Sequence, residues 1–93
     1  MKTVYLDMGG CKYIGEMHER IRLAFGFPEW YGGNWDAFWD FLRSECEVKY
    51  LHVSGAGTAN EDIREELLTM ENILNRYKVN CGRYGERFDF LIE

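Results

Sequence analysis

The chain has few of the features that mark disordered, membrane-spanning or secreted proteins. It contains one proline among 93 residues and no low-complexity tract, so intrinsic disorder is disfavoured. No apolar run approaches the roughly 18 residues of a transmembrane helix. Residues 1–7 lack the apolar stretch of a signal peptide. We therefore expect a cytoplasmic protein that does not enter a membrane.

Cysteine is scarce, and its spacing excludes the common cysteine-based sites. Cys11, Cys46 and Cys81 are odd in number and far apart, with no paired spacing suited to a metal. Reduced thiols that pack as small apolar residues are expected. A complete glycine-rich phosphate-binding motif is also absent from the sequence. We predict no cofactor and no metal.

Acidic residues outnumber basic ones, and they are unevenly placed. The net charge is −5, with −4 in residues 29–47 and −4 in residues 61–71, which leaves +3 for the rest. Direct nucleic-acid binding is disfavoured, because affinity for phosphates comes from lysine and arginine. A basic protein partner is favoured, since fields of opposite sign speed encounter.

The apolar residues can supply one core, and their pattern predicts a single α/β domain over residues 1–93. Hydrophobic residues make up 46% of the chain and aromatic residues 16%. Three strands are predicted from clusters of β-forming residues, at Lys2–Met8, Val48–Val53 and Phe88–Ile92. Predicted helices separate these strands, which implies right-handed crossovers and a small parallel sheet.

The first two helices are predicted from apolar spacing and end signals. Helical spacing covers Ile14–Phe25, and Gly26 is positioned to end that helix. Asn34 is a suitable N-cap for the second helix, which runs to about Ser44.

The third helix is predicted to follow a capping box formed by Thr58 and Glu61. It carries a long apolar stripe, formed by Ile63, Leu67, Met70, Leu74 and Tyr77. A loop at Cys81–Gly85 then precedes the last strand.

The second helix has an apolar face and an acidic face. Its predicted core residues are Trp35, Phe38, Phe41 and Leu42. Asp36, Asp40 and Arg43 lie roughly opposite, and the two carboxylates repel each other by roughly 0.2–0.5 kcal/mol at this i,i+4 spacing. Asp36 is favoured by the helix dipole in the first turn. Asp40 has no such local role, so it is either a solvated residue or a contact for a cationic partner.

Aromatic residues border this acidic face. Trp39 lies between the two faces, as either an interface anchor or an ordinary residue at the edge of the core. Trp30 and Tyr31 precede Gly32 and Gly33, and the sequence does not decide whether they are buried. The paired glycines either permit a close approach by another backbone or form a plain turn.

Catalytic options are few. His18 and His52 are more typical of packed or surface histidines than of a catalytic base, and no Ser/His/Asp arrangement can be placed. Asp36 and Asp40 could act as an acid–base pair only in different environments. Both are predicted on one exposed face, so an acid–base hydrolase is a remote alternative.

The segment Phe27–Leu42, FPEWYGGNWDAFWDFL, resembles the barstar family of intracellular ribonuclease inhibitors. The likeness covers nearly the whole chain in order, although its specificity lies in about sixteen residues. It implies a three-stranded parallel sheet packed by three or four helices. It also implies that the second helix and the loop before it fill a nuclease active site.

The resemblance implies roles for individual residues. Asp36 and Asp40 match acids that mimic RNA phosphates, with Asp40 the main one. Trp30 matches an aromatic residue that contacts the nuclease. Further interface positions are matched by Gly32, Asn34 and Trp39.

The chain also departs from the family pattern. Arg43 replaces a small polar residue, and it would either neutralise Asp40 or exclude the usual partner. Trp30 replaces a tyrosine and loses its hydroxyl. The Ser54–Asn60 connection is too short for the family's additional short helix. The family's further interface acid on the last helix has no secure match, although Glu66 and Glu71 flank the apolar stripe.

These observations favour a non-enzymatic inhibitor that is monomeric alone and binds a basic ribonuclease. The predicted partner-binding residues are Trp30, Gly32, Asn34, Asp36, Trp39, Asp40 and Arg43. The alternative is a self-association or adaptor module with a different partner, in which Trp30, Trp35 and Trp39 form a shared patch.

Overall fold

A computed structural model of the chain describes residues 2–44 and 47–93. Strands β1 (Lys2–Asp7), β2 (Val48–Ser54) and β3 (Asp89–Ile92) form a parallel sheet in the order β1-β2-β3. The helices are α1 (Ile14–Phe25), α2 (Trp35–Ser44) and α3 (Glu61–Arg83), with a 3₁₀ turn at Ala56–Thr58. The predicted α/β fold with a three-stranded parallel sheet is confirmed.

Alternation along the strands places one face of the sheet in the core. Val4 and Leu6 of β1 are buried, as are Leu51 and Val53 of β2. Helices α1 and α3 pack against strands of the sheet, and α2 packs against α3. The side chains of Phe38, Leu42, Ile63, Met70 and Leu74 are fully buried in this core. The acidic face of α2 is therefore turned away from the sheet.

The ends of α1 and α2 follow the sequence signals. Gly26 ends α1 with a φ of 75°, which a residue with a Cβ rarely adopts. Asn34 caps α2, because its side-chain oxygen accepts a hydrogen bond from the Ala37 N–H at 2.8 Å. Both predicted boundaries are confirmed within the described residues.

Two predictions about α3 are wrong. Thr58 does not form the capping box, because its hydroxyl donates to the Gly55 carbonyl and Asn60 caps the helix instead. The loop expected at Cys81–Gly85 is helical as far as Arg83. Cys81 extends the apolar stripe by one turn and is buried, and this packing outweighs the low helix propensity of the glycine that follows.

The structure also tests the predictions of free thiols and of a short connection before α3. Cys11 and Cys81 are free and buried, as predicted, whereas Cys46 lies outside the described residues. The short connection before α3 holds only the 3₁₀ turn.

Among the helices formed by residues 2–44 and 47–93, none has the length and apolar character needed to cross a bilayer.

Candidate functional site

The loop of residues 26–34 is held against the core by stacked aromatic rings. Phe27 is buried, with its ring centroid 5.1 Å from that of Phe25 and 4.8 Å from that of Phe41. Aromatic pairs contribute about 0.5–1.5 kcal/mol beyond their buried area. This stack fixes the start of the loop between α1 and α2.

Tyr31 fixes the middle of the same loop. Its hydroxyl lies 2.9 Å from Nδ1 of His18, and it also donates a long hydrogen bond to the Asn34 carbonyl. Burial raises the pKa of the Tyr31 phenol. Burial also lowers the pKa of His18, against the opposing effect of the Glu66 carboxylate. A neutral hydrogen-bonded pair therefore supports the loop from below.

Gly33 lets the chain turn from the loop into α2. Its φ is 64°, in the left-handed region that favours glycine. A Cβ at Gly32 would lie 3.3 Å from the side-chain amide nitrogen of Asn34 and 3.4 Å from the Cβ of Ala37. The positive φ that paired glycines permit is thus found at Gly33, whereas the described neighbours of Gly32 are side chains and not another backbone.

Trp30 lies on the surface of the loop. Its side chain is 75% exposed, yet its ring centroid is 5.3 Å from that of Phe41. Beside it is a depression of about 320 Å³, whose lining includes Gly32, Ala37 and Asp40. The ring therefore presents an open apolar surface next to a carboxylate.

Asp36 and Asp40 are both exposed on α2. Asp36 is in the first helical turn, as predicted, where the helix dipole favours a negative charge. Asp40 lines the depression beside Trp30 and also a groove of about 660 Å³ between α2 and the end of α3. No cation in the described parts of the chain forms an ion pair with either carboxylate. Both negative charges are open to an incoming partner.

Arg43 does not pair with Asp40 among the described residues. Its guanidinium lies over the Trp39 ring, 5.5 Å from the centroid. Arg76 of α3 lies over the same ring at 4.8 Å. Trp39 itself is half-buried and packs against the core, which confirms its predicted place between the two faces of α2.

Trp35 has a structural role instead of an exposed one. It is partly buried, its ring centroid is 4.5 Å from that of His18, and its indole N–H donates to the Glu66 carboxylate at 2.5 Å. The structure thus places Glu66, which the sequence left unassigned, against the start of α2. A continuous patch of three exposed tryptophans is not formed.

The candidate surface combines the predicted residues with others that the sequence did not indicate. All of the predicted partner-binding residues lie in the loop of residues 26–34 or on α2. They are Trp30, Gly32, Asn34, Asp36, Trp39, Asp40 and Arg43. Arg76 joins them from α3, and Tyr77, Asn80 and Tyr84 line the groove beside Asp40. Periodicity places Arg76 and Tyr77 on α3 but does not reveal which helix faces them, and Tyr84 directly follows the end of α3.

Both histidines have hydrogen-bond partners elsewhere in the fold. His18 is buried against Tyr31, and His52 pairs with Glu93 at 2.6 Å on the sheet. Neither histidine is placed as a base beside Asp36 or Asp40. Within residues 2–44 and 47–93, no three His, Cys, Asp or Glu side chains come together as ligands for a metal ion.

Comparisons with known proteins agree with this architecture. A comparison with curated protein sequences finds no match to the chain. The family model described as "Barstar (barnase inhibitor)" matches residues 1–93, which is the whole chain. That description names an inhibitor of barnase, and the parallel sheet with three helices is consistent with the fold of the family. The chain therefore belongs to the barstar family.

Proposed function

We propose that this protein is a non-enzymatic inhibitor of a basic ribonuclease. The loop of residues 26–34 and the acidic face of α2 would enter the nuclease active site. Carboxylates there would take the place of RNA phosphates. An inhibitor of this kind, acting in the cytoplasm, would protect the producing cell from its own toxin.

The observation that carries this proposal is the position of Asp40. Its carboxylate is exposed between two depressions, and no cation among the described residues neutralises it. Asp40 lies in the interior of α2, so the helix dipole does not stabilise its charge as it does the charge of Asp36 in the first turn. A cationic cleft would supply the counter-charge that the fold does not.

The neighbouring residues suit the same role. Trp30 offers an exposed ring, and large aromatic residues are enriched among the residues that dominate binding energy. Asp36 adds a second negative charge one turn away along α2. The pair would meet two cationic groups in a cleft built for a polyanion.

Titration calorimetry with catalytically inactive barnase and related basic ribonucleases tests the proposal. We expect 1:1 binding to at least one of them, together with inhibition of the active form of that enzyme. The matched control is the double variant Asp36→Asn, Asp40→Asn, which should bind far more weakly. If no enzyme in the panel gives heat or inhibition, the ribonuclease assignment is wrong, although family membership is unaffected.

Self-association is the second candidate, and the exposed Trp30 ring favours it. Tyr5 and Leu91 are also exposed, and they flank His52 on one face of the sheet. Large exposed apolar patches are typical of interaction surfaces. Sedimentation over a wide concentration range would show a dimer that Trp30→Ala abolishes if this candidate is right, and a monomer throughout if the inhibitor proposal is right.

A further inference from the structure

Two arginines from different helices stack on a single tryptophan at the edge of the candidate surface. Arg43 comes from the last turn of α2 and Arg76 from α3, and their guanidiniums lie 5.5 Å and 4.8 Å from the Trp39 ring centroid. Contacts of this kind hold a guanidinium in place through attraction to the ring. The two positive charges are therefore positioned and not freely mobile.

These two arginines have no acidic partner in the described parts of the chain. By contrast, the arginines of α1 are neutralised, because Arg20 pairs with Glu16 and Arg22 pairs with Glu19. A guanidinium that contacts a ring through its flat face keeps its N–H edges for other partners. Within residues 2–44 and 47–93 neither arginine forms an ion pair, so both place N–H donors beside the acidic face.

Local helix electrostatics account for only part of this arrangement. A positive charge is favoured in the last turn of a helix, and this explains the position of Arg43 in α2. Arg76 lies about two turns before the end of α3, where the dipole has little effect. Its place over Trp39 is not explained by the stability of its own helix.

The protein surface around Arg43 and Arg76 is open to a partner. Arg43 lines the groove of about 660 Å³ that also contains the acids Asp40 and Glu86, together with Tyr84. Arg76 lines a second groove of about 390 Å³, together with Trp39 and Arg83. Side chains of a bound protein can therefore reach both guanidiniums.

We infer that the partner presents carboxylates to Arg43 and Arg76, next to the basic cleft that receives Asp40. This inference rests on the proposed function and adds the charge pattern that the nuclease must carry. The surface of this chain has adjacent negative and positive zones, so its partner has the reverse pattern. A nuclease with a basic cleft and a uniformly basic rim would bind poorly, since like charges across an interface are strongly unfavourable.

A protein carboxylate fits this site better than a nucleic-acid phosphate. Asp40 lines the same groove as Arg43, and the segment of residues 29–47 carries a net charge of −4. A polyanion would be repelled along most of that segment. A protein surface can place an acid and a base a few ångströms apart, and so match both zones.

Selection from a display library of inactive barnase tests the inference. Residues on the rim of its active-site cleft are randomised, and variants are selected for binding to the wild-type chain. We expect Asp and Glu to be enriched among the selected residues. Each selected acid should improve affinity about fivefold or more over its alanine revertant, as expected for residues in direct contact.

The decisive comparison uses Arg43→Ala, Arg76→Ala and their double variant. Against the double variant, the gain from each selected acid should fall to within about twofold. Arg87→Ala is the matched control, because Arg87 is an exposed arginine outside the Trp39 contacts, and it should leave the gain intact. Circular dichroism melting curves verify that each variant is folded.

The outcomes separate the two proposals. If acids are not enriched, or if their gain persists in the double variant, this inference is wrong while the inhibitor proposal stands on the observed binding. If neither barnase nor any library member binds the wild-type chain, this inference is overturned, and the inhibitor proposal is decided separately by binding and inhibition across the panel of ribonucleases.

Discussion

Nδ1 of His18 in α1 lies 2.9 Å from the hydroxyl of Tyr31 in the loop before α2. The same imidazole also packs against Trp35, with ring centroids 4.5 Å apart. One buried histidine thus contacts the residue before the paired glycines and the residue after the helix cap. The arrangement of the loop and of the start of α2 therefore depends on a buried histidine whose pKa is lowered by burial.

The folding stability of the protein should depend on pH through His18. Burial lowers the pKa of His18 from its ordinary 6.5, so the unfolded chain binds this proton more readily than the folded one. The stability contributed by the neutral imidazole should be complete above about pH 6.5 and should fall as pH drops toward the folded-state pKa. Urea unfolding curves between pH 5 and pH 8 measure this slope.

The control for that prediction is His18→Gln, which keeps a polar side chain but cannot titrate. The variant should be less stable at pH 8, because the contacts with Tyr31 and Trp35 are altered. Its stability should vary less between pH 5 and pH 8 than that of the wild type. An identical slope in both proteins would assign the pH dependence to other groups.

The second prediction separates the two carboxylates of α2. Asp40→Ala should weaken binding to the nuclease by at least about 2 kcal/mol, the usual threshold for a dominant interface residue. Asp36→Ala should weaken binding less, and it should also lower folding stability by about 0.3–1 kcal/mol through the lost dipole interaction. Calorimetry and thermal melts measure the two effects.

A matched control for both aspartates is Glu65→Ala, which removes an exposed acid from α3. It tests whether any lost negative charge weakens binding through the general field. Equal, small losses of affinity from all three variants would count against phosphate mimicry by Asp40.

The third prediction concerns the cap of α2. Asn34→Ala removes the acceptor for the Ala37 N–H and should cost about 0.5–2 kcal/mol of folding stability. Asn34→Asp keeps an acceptor at the same position and should recover most of that loss. If both variants are equally destabilised, the lost contact between the Asn34 amide and the Gly32 carbonyl would be responsible instead.

The fourth prediction concerns Arg43 and a generic basic nuclease. Arg43→Thr removes a positive charge that faces the groove beside Asp40, so it should tighten binding to unmodified barnase and raise the association rate at low salt. The difference in rate should shrink as ionic strength rises, because screening acts within about 10 Å at 0.1 M salt. Stopped-flow measurements at several salt concentrations provide the test.

The cognate toxin offers the opposite expectation for the same variant. If it carries an acid opposite Arg43, the change to threonine should be neutral or harmful. Unchanged rates and affinities with both nucleases would show that Arg43 makes no contact in either complex.

The sequence predicted the fold well because the core residues follow regular periods. The apolar stripe from Ile63 to Tyr77 and the cap at Asn34 are local signals, and the structure confirms both. The errors at Thr58 and Cys81 have a different cause. At Cys81, the helix continues because that residue is buried in the core, which local propensity does not show. At Thr58, two nearby residues could cap the helix, and the cap is Asn60, whose side-chain amide also donates to the distant Lys12 carbonyl.

The candidate surface could be predicted only as far as one helix and its loop allow. The spacing of Asp36, Asp40 and Trp39 is visible in the sequence, and so is the exposed side of α2. The contact of Arg76 with Trp39 joins residues 37 positions apart in the chain, and it depends on how α2 crosses α3. No pattern within either helix encodes that crossing.

The aromatic stack around Phe27 has a consequence for the kinetics of recognition. Phe27, Tyr31 and Asn34 each tie the loop to the body of the protein before any partner arrives. The conformational entropy of the loop is therefore lost during folding and not during encounter. A surface prepared in this way can dock as a rigid body, so its association rate is governed by diffusion and electrostatic attraction instead of by loop rearrangement.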